Sequence, residues 1–161
     1  MTSARPTDPL RSEHDELRPQ IERVRELGDQ AVAGEDVMES LLASVEFLHH
    51  HLLVHATAEE AILYPLVADL LGGPRATATM AEDHARIRHL AAALAEVDVE
   101  DRQSVARLAY GLHALITLHL EKEEGVYLSL VDSMLSSETV AGMYVRMQEA
   151  AAAAHSQGDA M

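Results

Sequence analysis

Two segments of the chain place a histidine and a glutamate four residues apart within an apolar stripe: His55-Ala-Thr-Ala-Glu59-Glu60 and His119-Leu-Glu-Lys-Glu123-Glu124. A helix advances about 100° per residue, so positions four apart share a face. The first segment continues as Ala-Ile-Leu-Tyr-Pro-Leu-Val67 and the second, in register, as Gly-Val-Tyr-Leu-Ser-Leu-Val131. A weaker echo relates Glu13-His14-x-x-Leu17-Arg18 to Asp83-His84-x-x-Ile87-Arg88. Such a repeat predicts a helical bundle with two-fold pseudo-symmetry and two similar half-sites.

Punctuation along the chain agrees. Gly34 follows a first helical segment over 10–33, and a long second segment over 36–71 ends at Gly72-Gly73-Pro74. A third runs over 75–96, Asp98-Val99-Glu100-Asp101 reads as a loop, and a fourth runs over 102–135. Ser136-Ser137-Glu138 reads as an N-cap before an Ala-rich fifth helix over 138–155, which ends in a frayed Ser-Gln-Gly-Asp tail. Ala, Leu and Val carry the apolar content and only 3% of residues are aromatic, a helix-builder's composition. The expected fold is all-α: an up-down four-helix bundle over 10–135, with 136–161 as an additional C-terminal helix and tail. That helix would cover one face or form a dimer contact.

Composition excludes several functions. With no cysteine there is no disulfide, iron–sulfur cluster or thiolate zinc site. A formal charge of −15 repels nucleic acid and anionic membranes. The N-terminus lacks the apolar run of a leader, and no stretch approaches the ~18 apolar residues of a membrane span. A cytoplasmic protein, monomeric or weakly dimeric, is expected.

Helical phase sorts the ten histidines. In the second helix the stripe runs through Leu41, Leu48, Leu52, Ile62 and Leu66; His55 and Glu59 lie in it, while His49, His50 and Glu60 fall outside. In the fourth it runs through Val105, Leu108, Leu112, Ile116, Val126 and Leu130; His119 and Glu123 lie in it, while His113 and Glu124 do not. His14 joins Leu10, Leu17, Ile21 and Gly28, and His84 joins Met80, Ile87, Ala91 and Leu94, with His89 facing away. His49, His50, His89, His113 and His155 read as solvent-facing.

A lone core histidine is ordinarily a packing residue. Four of them with two glutamates, in repeated register, are not. A buried carboxylate without a partner costs several kcal/mol, so the two glutamates demand cations. No lysine faces the core, and Arg18 and Arg88 sit only at stripe edges. Metal ions are the remaining source of positive charge. His51, one turn before His55 at the stripe edge, reads as a further ligand, a proton donor or a packed edge residue. Tyr127 is a weaker candidate beside Glu123, its alternative being core packing with the hydroxyl at a bundle edge.

The pattern resembles the hemerythrin-like, or HHE, domain family. The resemblance rests on Glu13-His14-Asp15-Glu16-Leu17, on His55 through Glu60 followed by Leu63-Tyr64-Pro65, on Asp83-His84, and on His119 through Glu124. It implies a four-helix bundle around a non-haem di-iron centre. The two iron ions, with or without an oxo or hydroxo bridge, would be held by His14, His55, Glu59, His84, His119 and Glu123, with the glutamates shared. Oxygen-carrying members have a second histidine one turn after the third-helix ligand, where Arg88 stands here. Their last carboxylate is an aspartate one residue beyond the place of Glu123. Fewer imidazoles imply a more open centre. The expectation is therefore reaction with a small oxidant (hydrogen peroxide, dioxygen or nitric oxide), catalase-like peroxide decomposition first. Reversible oxygen binding, or iron or oxygen sensing without turnover, is the alternative, and a zinc or manganese ion serving stability alone is a third.

Overall fold

A computed structural model describes residues 4–158. Helix α1 spans Asp8–Ala33, with Pro9 in its first turn where no amide is needed. It ends at Gly34, whose φ of 76° only glycine adopts without strain. The amides of Gly34 and Glu35 return to the carbonyls of Ala31 and Gln30 at 3.2 and 3.0 Å. Helix α2 covers 38–70 and ends before Gly72-Gly73. Pro74–Ala76 form a separate 3₁₀ turn, so helix α3, Ala78–Glu96, begins later than the sequence predicts.

Helix α4 covers 102–134 and is capped by Asp101, whose carboxylate accepts the Ser104 amide at 3.1 Å. Helix α5, Ser137–Gly158, is capped by Ser136, whose hydroxyl accepts the Thr139 amide at 3.2 Å. Most of the expected frayed tail is helical as far as Gly158; residues 159–161 lie outside the described part.

Helices α1 to α4 run up and down. Thr7–Asp132, His14–Glu124, Glu22–His113 and Asp29–Tyr110 contacts mark α1 and α4 as antiparallel along their length. Gly28 permits their close approach, since a Cβ there would meet the Tyr110 ring at 2.7 Å. Helix α5 lies against α2 and buries Val140, Met143 and Met147 beside Leu63, Tyr64 and Val67. It covers a face of its own bundle.

The sequence did not reveal three wide, π-helical turns: Leu48–Leu52 and Glu59–Leu63 in α2, and Glu123–Leu128 in α4. Each π turn holds an extra residue and so rotates the helix beyond it. Ile62, Leu66 and Leu130, expected in the core, are only half-buried, and Val126 is 58% exposed. Leu63, Tyr64 and Val67 in α2, and Tyr127, Leu128 and Val131 in α4, are buried instead.

Two apolar clusters form. One is built around Val24, Leu27, Leu48, Leu112 and Ile116, the other around Leu10, Leu63, Val67, Leu128 and Val131. The buried histidines and glutamates, His14, Glu59, His84, His119 and Glu123, fall where the two clusters meet.

Candidate metal centre

His14, Glu59, His84, His119 and Glu123 are all at most 2% exposed. His55 joins them with an 11% exposed side chain. All six residues expected from the sequence therefore meet in one layer. Glu59 and Glu123, each one α-helical turn after a core histidine and at the start of a π turn, point inward, while Glu60 and Glu124 lie at the bundle edge.

The imidazole Nε2 atoms converge in pairs. His14 Nε2 lies 3.2 Å from His55 Nε2, and His84 Nε2 lies 2.9 Å from His119 Nε2. Glu59 stands between the pairs. Its Oε1 is 2.8 Å from His55 and 3.4 Å from His14, and its Oε2 is 3.4 Å from His84. Glu123 lies opposite, with Oε2 at 3.7 Å from His14 Nε2 and 3.8 Å from His119 Nε2. Among the described residues, neither Glu123 oxygen has a hydrogen-bond partner.

The other ring nitrogen of each histidine meets an acid on a neighbouring helix. His14 Nδ1 meets Glu124 at 3.0 Å, His55 meets Glu13 at 3.3 Å, His84 meets Glu60 at 2.9 Å, and His119 meets Asp83 at 3.2 Å. A carboxylate at Nδ1 holds the ring proton there and turns the Nε2 lone pair inward. These acids are themselves gripped: Glu124 by Arg18 at 2.7 Å, Glu60 by Arg88 at 2.8 Å, and Asp83 by Lys122. Glu13 is held by Tyr144 at 2.6 Å and by Gln148.

This lattice obeys the repeat. Glu13-His14 and Asp83-His84 play the same parts, and so do Glu60 with Arg88 and Glu124 with Arg18. Sequence reasoning set Glu60 and Glu124 aside as outward-facing. Their place in the repeat was the signal that they serve the partner half-site.

Lone pairs facing one another at such distances, beside an unpartnered buried carboxylate, fit a cation between them. His14, His55 and Glu59 form one group of three with donor atoms within 4.8 Å of one another, and Glu59, His84 and His119 form a second. Without metal, protons take that role. Burial lowers the proton affinity of His55, but the Glu59 charge and bonds to Glu13 and Glu59 prevail and raise its pKa to about 10. Burial and the adjacent His84 push His119 down to about 4. Burial raises Glu59, yet His55 and hydrogen bonds from His14, His55 and His84 hold it well below the carboxylate range. Burial and repulsion from Glu59 push Glu123 well above it.

Tyr64 is the residue sequence reasoning missed. Its hydroxyl lies 3.2 Å from His84 Nε2 and 3.3 Å from His119 Nε2, and its ring stacks on His84. Leu128 occupies the equivalent place in the other half-site. Tyr127 instead donates to the Ala76 carbonyl at 2.8 Å, away from the centre. His51 is exposed and stacks on Phe47, a packed edge residue. His49, His89 and His155 are exposed; His113 is half-buried against Glu22, and the half-buried His50 meets the ring of His155.

This is the cation-binding centre of a helical bundle, and the chain matches the Hemerythrin HHE cation binding domain family over residues 5–131. It belongs to that family. No curated protein and no solved structure gives a significant match. Among the described residues, no helix is long and apolar enough to cross a membrane.

Proposed function

We propose that the chain is a non-haem di-iron protein that decomposes a small oxidant, hydrogen peroxide first. The supporting observation is the pair of two-histidine, one-carboxylate groups that share Glu59. Two histidines and one carboxylate with open positions suit redox-active iron(II). His14 and His55 would hold one ion and His84 and His119 the other, with Glu59 and Glu123 shared. Bound there, two iron ions supply the reversible electron storage that converts two peroxides into dioxygen and two waters without another reductant.

The chain's own residues set the size and the proton supply. The internal cavity beside the histidines is about 10 Å³, walled by Leu52, Ile87, Ile116 and Leu120. That is room for roughly one water-sized molecule. Burial and the nearby Glu123 and Glu59 carboxylates raise the Tyr64 hydroxyl's pKa, so it keeps its proton. It is the proton donor nearest His84 and His119, and aliphatic walls keep bulk water out.

The test is oxygen evolution from iron-loaded protein and peroxide, abolished in His119→Ala. A stable absorption band that needs dioxygen and vanishes on deoxygenation, with no turnover, would replace catalysis by reversible binding. Metal analysis of protein from its own host decides between iron and a zinc or manganese ion of structural role.

A further inference from the structure

The two half-sites follow one rule until the acid behind the outer histidine. In the second, Asp83 supports His119 and is neutralised by Lys122 on α4. In the first, Glu13 supports His55, but the repeat puts Ala58 where Lys122 stands. The missing lysine is replaced from outside the repeat. Tyr144 and Gln148 of α5 donate to Glu13 Oε1. Both are neutral, so among the described residues the charged group against Glu13 is the ligand His55 itself, with no lysine or arginine beside it. A groove of about 520 Å³ between α1, α2 and α5 reaches down to Glu13 and His55. Glu16, Glu46, His50 and His51 line its walls. The His55 side chain is 11% exposed, against 0, 2 and 3% for His14, His84 and His119.

We propose that the His14–His55–Glu59 position is the exchangeable one of the two, its ion entering and leaving through this groove across His55, with Tyr144 and Gln148 as positioning residues that set the rate by holding Glu13. This rests on the dinuclear reading above. Glu13 on the groove floor, with Glu16 and Glu46 on its walls, draws a divalent cation inward, and the carboxylates and imidazoles there offer exchangeable donors on the way. A second groove of about 470 Å³ reaches Glu60 and Tyr64 beside the other position, but neither His84 nor His119 lines it, and the acids that support those histidines are paired with Lys122 and Arg88. Helix α5, outside the repeat, thereby makes two like half-sites unlike.

The experiment uses the full chain loaded with iron(II) under argon and mixed with excess 2,2′-bipyridine, the coloured complex reporting release. Two ions should leave in two phases of one ion each. Tyr144→Phe should speed the fast phase about tenfold and leave the slow phase unchanged, because losing such a supporting contact typically weakens metal binding 10–100-fold. Lys122→Met should speed the slow phase alone. Ala43→Trp, at an exposed position in the groove wall, should slow both loading and release of the fast ion. A chain that holds two ions and loses both in one phase overturns the inference. So does one in which Tyr144→Phe and Lys122→Met speed the same phase. A chain that holds only one ion removes the dinuclear reading, and this inference with it.

Discussion

Arg88 grips Glu60 with both ends of its guanidinium, at 2.8 and 3.0 Å, and Glu60 in turn holds Nδ1 of His84 at 2.9 Å. The arginine that stands where an oxygen carrier would have another imidazole thus supports the neighbouring ligand. Arg18 does the same for Glu124 and His14. Arg88→Ala should weaken binding of the ion at His84 and His119 by about 10–100-fold. Arg88→Lys should recover only part of this, because an ammonium lacks the two-pronged fit. The Arg88 and Glu60 side chains are 37% and 31% exposed, so the pair itself contributes about 1 kcal/mol or less to the metal-free fold. Metal competition titration should therefore show the loss while the melting temperature of metal-free protein hardly moves.

Tyr64→Phe keeps the ring stacked on His84 and removes only the hydroxyl. Two ions should still bind, and oxygen evolution from peroxide should fall by about 100-fold or more, the usual range for a lost proton donor. Metal content and turnover are read on the same sample. Full turnover without the hydroxyl would remove Tyr64 from the chemistry.

The six inward residues were legible because four-residue spacing survives within each motif. His55 leads in ordinary α-helix to Glu59, which opens the second π turn, and His119 likewise to Glu123, which opens the third, so regular helical spacing relates each pair. Beyond each of these turns the phase slips. That is why Ile62 and Val126 looked like core, and why Tyr64 was invisible as a member of the site. A π turn has no strong local signature, since it is selected by the fit of Glu59 and Glu123 into the interior. The outer acids were hidden for another reason. Glu13, Glu60, Asp83 and Glu124 act across helices, and no spacing within one helix reports a contact with the next. The part played by α5 lay wholly outside the repeat.

Loading should release protons. In the metal-free chain His55 carries a proton up to about pH 10, against an ordinary value of 6.5. A folded-state pKa above the unfolded value stabilises the metal-free fold fully below the unfolded value. That contribution is lost as pH rises through about 10. An ion at the same nitrogen must displace the proton, so affinity there should rise with pH across the neutral range. A weakly buffered solution at about pH 8 with an indicator dye should acidify as iron(II) is added, because ligands bind in their deprotonated forms. Uptake without acidification would mean His55 is already neutral.

Glu123 ties metal to folding most directly. Both of its oxygens are buried and unpartnered, and burial with the neighbouring Glu59 drives its carboxyl toward the protonated form. Leaving such a group unsatisfied costs about 1–3 kcal/mol. Glu123→Met, of similar length and without polar atoms, should therefore raise the melting temperature of chelator-treated protein by several degrees, as expected for a chain of this size. The same change removes a shared ligand, so the further rise that iron(II) produces in the unaltered chain should shrink or disappear. Scanning calorimetry of both chains, with and without iron(II), gives four melting temperatures. A variant less stable than the parent when both lack metal would show that Glu123 contributes to the fold by itself.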